Sequence, residues 1–422
     1  MFTDIDSNLN FADIAWMITA TIFVLMMTPG LSFFYGGMVR SKNVISTMLQ
    51  SFIAMGVISV IWVVVGFSLA FGEDVGHFIG NPGTFFMFVN VGGATDKLLA
   101  PTIPLALYAL FQMKFAIITP SLITGSFAER VRFSGYLVFM ILFCIFVYCP
   151  LAHWTWHPDG FLRQMGVLDL AGGIVVHASS GVAALAGAIF LGRRKESGQP
   201  ANIPFVLLGA AMLWLGWFGF NAGSSLAANS IAVKAFLNTN TASATAMMTW
   251  VVFDCLRGRK PSAMGAAIGA VVGLVAITPS AGYVTVWESI FIALVVTVIC
   301  NMAVSWKNKK NSFDDALDVF PTHGVGGIVG TIMTGIFVYN ATENITYWQN
   351  LLNHIIAVVI VCGYTFIVTY ALYWITDKMI PMRVSEKSEK IGLDMSQHDE
   401  RYGIETNREL AEYFDHGVDT KS

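Results

Sequence analysis

Three apolar runs, Val44 to Phe71, Gly135 to Ala152 and Glu288 to Trp306, constrain this chain more than any other feature. Each is near or above the roughly 20 residues that a helix needs to cross hydrocarbon. Composition points the same way. Of the 422 residues, 55% are hydrophobic and only 12% charged, about half the share of roughly 25% typical of a soluble domain. A net charge of −3 leaves no nucleic-acid footprint. Cys144, Cys149, Cys255, Cys300 and Cys362 all lie within or at the end of apolar segments, which makes neither a disulfide framework nor a C-x-x-C metal pair. The first apolar run follows Asp4, Asp6 and Asp13 without a basic region, so it reads as a permanent span rather than a signal peptide.

Apolar stretches between charged or Gly/Pro-rich breaks predict an all-α polytopic membrane protein with eleven transmembrane helices. They lie near 11–36, 43–72, 101–126, 133–152, 170–191, 203–224, 236–256, 262–279, 285–306, 321–339 and 350–378. Alternate connections hold Arg40 and Lys42; Arg130 and Arg132; Arg193, Arg194 and Lys195; Arg257, Arg259 and Lys260; and Lys307, Lys309 and Lys310. The other set holds only Lys97, Arg163 and Lys234. By the positive-inside rule the first set is cytoplasmic, the N-terminus outside and the tail from Pro381 inside.

Eleven spans divide as five, five and one, and a five-helix unit ends on the side opposite its start, so a second copy is inverted. The predicted organisation is a transmembrane domain over 1–378, with repeats at about 11–191 and 203–339 and an extra helix at about 350–378, followed by a tail over 379–422. Inverted repeats place a substrate site near the midplane. Asp169 before His177 and Asp318 before His323 are the faint sequence echo of such a repeat. Gly265, Gly269 and Gly273, and Gly326 with Gly330, are small-xxx-small steps that let helices approach closely.

His177 and His323 fall where a polar side chain is costly, and intramembrane ionisable groups are functional candidates. The alternative is a neutral histidine bonded to a neighbouring helix. At 1.5 Å per residue, His177 lies about 12 Å inward from Asp169. Phe320 precedes Pro321 and is biased to extended geometry, which would carry His323 about 15 Å inward from Asp318. In a core about 30 Å thick the two then meet near the middle. Metal binding fits poorly, because zinc wants three or four protein ligands and neither helix has a carboxylate or thiol nearby. His153 and His157, at i and i+4 before Asp159, read as interfacial histidines on a Trp-rich segment or as an outer metal site, the first fitting better. No metal or cofactor is expected.

Several segments resemble the Amt/Mep/Rh ammonium transporters, of the bacterial or archaeal Amt type. These are Asp169-Leu170-Ala171-Gly172-Gly173-Ile174-Val175-Val176-His177, with Leu170 where Phe is more usual, Gly216-Trp217-Phe218-Gly219-Phe220-Asn221-Ala222-Gly223-Ser224, and Asp318-Val319-Phe320-Pro321-Thr322-His323-Gly324. Phe34-Tyr35-Gly36-Gly37-Met38-Val39-Arg40 and Ala128-Glu129-Arg130 also match, and the similarity runs into the tail at Arg383-Val384-Ser385-Glu386. The resemblance implies that Trp156 and Ser224 form an outer recruitment site, that Phe115 and Phe220 stack beneath as a gate, that His177 and His323 line the pore, and that Asp169 supports the site. It also implies a homotrimer in the plasma membrane and control of the tail by a P-II-type nitrogen regulatory protein. The sequence departs from the family at Lys114, beside the gate, and at His157-Pro158-Asp159-Gly160 after Trp156.

The implied roles are chemically coherent. Ammonium resembles potassium in size and charge; an aromatic face favours a desolvated cation by roughly 0.5–2 kcal/mol, and Ser224 can accept an N–H bond. Burial then disfavours the charged amine, a response potassium cannot make, and neutral histidines can bond ammonia. Asp169 reads either as an N-cap of span five or as a charge that steadies the cation. An ammonium sensor acting through a separate output partner is the alternative function. An enzyme is disfavoured for want of a nucleophile or metal cluster.

Overall fold

Helix covers the core of every predicted stretch in the computed structural model, which describes residues 8–310, 312–338 and 345–403. In chain order these are α1 Phe11–Met38, α2 Ser41–Phe71, α3 Leu105–Ile123, α4 Phe133–Gln164, α5 Gly173–Leu191 and α6 Ile203–Ala222. They continue as α7 Ser230–Leu256, α8 Ala263–Ile277, α9 Val286–Lys310, α10 made of Phe320–Gly324 and Val325–Phe337, and α11 Tyr347–Met379. α4 breaks at residues 157–160, and position 339 of the tenth predicted stretch lies outside the described residues. Eight of the helices, α1 to α6, α9 and α11, are long and apolar enough to cross a membrane. α7 has the length but carries Asn238-Thr239-Asn240-Thr241, and α8 has only 15 residues. The protein is an all-α, multi-span membrane protein with one small hairpin, β1 Asp74–Val75 and β2 Ile79–Gly80.

Side-chain caps explain where three of the helices start, including one that hydropathy misplaced. Asn229 accepts the Ala232 N–H at 2.9 Å and starts α7 six residues before the predicted 236. Asn202 does the same for α6 through Phe205, and Ser262 for α8 through Gly265. Each cap satisfies an N–H that the first helical turn leaves unpaired. α4 runs beyond the predicted 152 to Trp156 before it breaks, because His153 is buried against other protein groups rather than exposed at an interface.

Several helices contain wider π turns: Trp62–Gly66, Cys144–Tyr148, Gly173–Ala178, Phe218–Ala222 and Phe320–Gly324. Such turns cluster at functional positions because they re-aim side chains without ending the helix. Here the last three carry His177, Phe220 and His323. Phe320 is therefore helical and not extended as predicted, since Pro321 sits in the first turn, where its missing N–H costs nothing.

Asp315, rather than Asp318, bonds the start of its helix as Asp169 does. The Asp169 carboxylate accepts the N–H groups of Gly172, Gly173, Ile174 and Val175 at 2.6–3.4 Å. Asp315 accepts those of Val319 and Phe320 at 3.1 and 2.7 Å. Each lies eight residues before its histidine. Asp318 instead adopts a left-handed φ of 59° and pairs with Lys307 at 2.5 Å.

At the end bearing the basic loops, Glu129 is buried between Arg40 (3.0 Å) and Arg194 (3.3 Å), and Arg194 clamps Asp314 at 2.9 Å. Burial alone would raise the Asp314 carboxyl; the Arg194 hydrogen bonds and charge outweigh it and hold the group at about 2. The tail closes over this cluster as two short helices, α12 Glu386–Ile391 and α13 Leu393–His398. Asp394 caps the start of α2 through Ile45 and Ser46, and buried Glu389 bonds Arg383 and the Lys195 N–H. The tail that the composition presents as merely polar is thus docked as far as residue 403.

The α5 and α10 backbones touch one turn beyond His177 and immediately after His323. A Cβ on Gly181 would fall 2.1 Å from Gly324 N and 2.2 Å from its Cα. Gly181→Ala should therefore force the pair apart, at a cost of about 1–3 kcal/mol or more. A thermal-unfolding midpoint equal to wild type would show that this contact yields freely.

Candidate functional site

The predicted outer residues surround one polar vestibule of about 270 Å³. Trp156, at the end of the α4 helix proper, donates its indole N–H to the Asp169 carbonyl at 2.9 Å, which fixes the ring across the mouth. Ser224 follows the α6 π turn; its hydroxyl donates to the Phe220 carbonyl at 2.8 Å, leaving the oxygen lone pairs as acceptors. Gln112, Tyr108, Tyr283 and Arg163 also line the vestibule. Sequence reading missed these four, because no local spacing connects α3, the α4 extension and the loop before α9.

Aromatic contacts then lead inward in series. Trp156 meets Phe115 edge-on at 5.8 Å, and Phe115 stacks on Phe220 at 4.2 Å and 25°. Phe220 lies 5.9 Å from His177, and His177 lies 5.4 Å from His323. Phe115 and Phe220 are at most 1% exposed. Beneath them an apolar chamber of about 10 Å³, bounded by Phe220, Trp217, Ile118, Leu31, His177 and His323, has room for about one water-sized molecule.

The histidine Nδ1 atoms approach to 3.3 Å. A hydrogen bond between them requires one Nδ1 to donate and the other to accept, so the two neutral rings hold opposite tautomers. One Nε2 is then a bare acceptor and the other carries a proton. Among the described residues His177 Nε2 is buried without a partner. Trp217 stacks on His177 at 5.2 Å and 18°, and its own N–H donates to Thr278 at 2.9 Å. Trp217 stood inside a quoted motif, but nothing in its spacing marked it as a support for the histidine.

Lys114, next to Phe115 in α3, is buried. Among the described residues its ammonium meets the Met113 sulfur at 3.8 Å. Among the described residues no group of three or more His, Cys, Asp or Glu is arranged to hold a metal. His153 and His157 stack on one another and do not converge on a shared point.

This arrangement can be set beside known proteins. The profile of the Ammonium Transporter Family matches residues 15–402. A putative ammonium transporter of Methanothermobacter thermautotrophicus is 44% identical over 93% of this chain and 98% of its own. An ammonium transporter of Bacillus subtilis is 42% identical over 92% and 98%. The chain belongs to the ammonium transporter family. The crystal structure of Saccharomyces cerevisiae Mep2 superposes with a TM-score of 0.82 at 34% identity, covering 90% of this chain and 88% of that one. A solved sensor Amt protein superposes with 0.85 at 29%, covering 92% and 98%.

Family membership makes the chain a multi-span membrane transporter rather than an enzyme. Within it, Asp169 has a structural task visible in its bonds: both carboxylate oxygens are occupied by backbone N–H groups at the start of α5. Asp169→Ala should leave these donors buried and unpaired, each costing about 1–3 kcal/mol. Asp169→Asn keeps one acceptor oxygen and should lose less. Equal thermal stability of the two variants would contradict the capping role.

Proposed function

We propose that the chain carries ammonium nitrogen across the plasma (inner) membrane as ammonia, taking ammonium at the vestibule, removing its proton beneath the gate and passing ammonia along His177 and His323. The observation that carries this reading is the series of environments: a polar, aromatic-sided mouth, a closed stack of Phe115 on Phe220 at 4.2 Å, then an apolar chamber ending on paired histidines. A cation in contact with Trp156 gains roughly 0.5–2 kcal/mol from the ring, and Ser224 accepts one of its N–H bonds. Asp169 contributes through its field, its oxygens being engaged by backbone. The stacked gate strips water, and a desolvated charged amine is driven towards its neutral form. Below it, the bare Nε2 of one tautomer accepts from ammonia while the N–H of the other donates to its lone pair. The pair is also placed to relay the proton.

The loops rich in Lys and Arg support an orientation with the vestibule and N-terminus outside and the tail in the cytoplasm. The spans number eleven, as two inverted five-helix repeats plus α11; matching Asp169–His177 and Asp315–His323 spacings support this, as does the paired π-turn start of α5 and α10. A transmembrane domain ends near 378, and the tail follows. A homotrimer is supported by a polar group on an outward face: Asn240, exposed in the middle of α7, makes no hydrogen bond among the described residues. Polar groups facing hydrocarbon cost several kcal/mol each, so a second copy is the fitting neighbour. The docked tail supports regulation by a P-II-type protein at the cytoplasmic face. The alternative, a sensor working through a separate partner, draws its support from the likeness to the sensor Amt structure.

Mass measurement of the purified full-length chain should give a trimer. Truncation after Met382 should keep transport machinery assembled while altering transport or P-II binding. A monomer contradicts the assembly, and a truncated trimer with wild-type transport and P-II binding contradicts the tail's role.

Replacing His177 or His323 with Ala should each abolish or greatly reduce ammonium-driven current in proteoliposomes, and the double variant should lose little more, because residues acting as one unit are strongly non-additive. Wild-type current and selectivity in the double variant would leave the pair as packing residues.

A further inference from the structure

The segment that departs from the family, His157-Pro158-Asp159-Gly160, builds a second histidine pair beside the vestibule. His153 is fully buried, with Nδ1 3.0 Å from the Ala70 carbonyl and Nε2 2.9 Å from Asp74 Oδ1. Both ring nitrogens face acceptors, and only a ring carrying both protons satisfies them. Asp74 is suited to this: burial opposes its charge, but hydrogen bonds from His153 and from the His77 N–H hold its carboxyl below the usual range.

His157 stacks on His153 at 4.4 Å and 16° and has the opposite requirement. Its Nδ1 accepts the Asp159 N–H at 3.1 Å, so that nitrogen is unprotonated. The turn is otherwise held by Gly160 N–H to the His157 carbonyl and by His77 Nδ1 against the Asp159 carbonyl at 2.7 Å. Trp156 immediately precedes this turn, and Pro158 within it lines the vestibule. The groups facing His157 are His153 on its own helix, Asp159 in its own turn, Asp74 and His77 on the β1–β2 hairpin, and Asp96 in the loop before α3. Protonating Nδ1 would remove the acceptor for Asp159 N–H and stack two cations face to face. The Asp159 carboxylate, 3.9 Å away, is half exposed and compensates only in part.

We propose that neutral His157 is a positioning residue for the outer site, holding the turn that seats Trp156 and Pro158, and that its protonation from outside weakens ammonium recruitment. The sign follows from the hydrogen bond: burial and the neighbouring His153 hold the His157 ring below the usual histidine range, so the seat is intact through that range and is lost as external pH falls below it. This rests on Trp156 being the recruitment residue.

Ammonium dose–response currents should be recorded in proteoliposomes at external pH of about 7.5 and about 4.5, the second well below the ordinary histidine value because burial holds the His157 ring lower. The half-saturating concentration of the wild-type protein should rise by roughly two- to thirtyfold at the lower pH, the range a weakened cation–π contact allows, with the plateau unchanged. His157→Gln, whose side-chain oxygen accepts the same N–H and does not titrate, should keep the neutral-pH affinity and flatten the response. No shift in wild type, or an equal shift in a folded His157→Gln protein, overturns the proposal. Should that variant fail to assemble, His157→Asn supplies a second non-titrating acceptor with the same expected and contrary outcomes. Trp156→Leu at neutral pH separates the underlying reading: unchanged half-saturation there removes Trp156 from recruitment and the proposal with it, whereas a weakened affinity with a flat wild-type pH response rejects only the role of His157.

Discussion

One hydrogen bond between two neutral imidazoles, His177 Nδ1 to His323 Nδ1, is the constraint around which the rest of the structure is arranged. A polar ring with no partner in this setting costs about 1–3 kcal/mol per orphaned group, so each histidine must be aimed at the other from a different helix. Three features do this. Asp169 and Asp315 fix the starts of α5 and α10, π turns rotate the histidines inward, and Gly181 lets the backbones close to contact distance beside Gly324. Trp217 covers one face of His177 and is itself tied to Thr278.

On our reading, selectivity follows from what this bond leaves unfilled. The chamber beneath Phe115 and Phe220 is about large enough for one small neutral molecule and offers an acceptor and a donor, but no ring of oxygens to replace a hydration shell. Potassium would enter with its charge and only a single nitrogen acceptor in place of its hydration shell. Ammonium has another route, because shedding a proton turns it into a molecule the chamber suits. The aromatic gate acts by excluding water, which strengthens this difference.

Hydropathy revealed the helices, since apolar runs survive in sequence whatever their neighbours do. The three that fall short of a clear span are those in which polarity or length departs from the pattern: α7 with its Asn and Thr run, α8 with 15 residues, and α10 with its broken start. Depth counted along the helices brought His177 and His323 together, although the geometry assumed for Phe320 was wrong and the aspartate that bonds its helix start as Asp169 does is Asp315, not Asp318. The closer aspartate is drawn aside by Lys307, a partner 11 residues back along the chain that no local rule identifies. Gln112, Tyr108, Tyr283 and Arg163 stayed hidden for a related reason: a vestibule is assembled from separate elements, and its members share a place but no spacing.

The most direct test of transport by deprotonation compares currents driven by ammonium and potassium gradients through the same proteoliposomes, each in ordinary and heavy water. Transfer of a proton off ammonium predicts an ammonium current that slows in heavy water beyond the change in solvent viscosity, and no potassium current above empty vesicles. A potassium current of similar size, or an ammonium current indifferent to the isotope, would mean that the intact cation crosses.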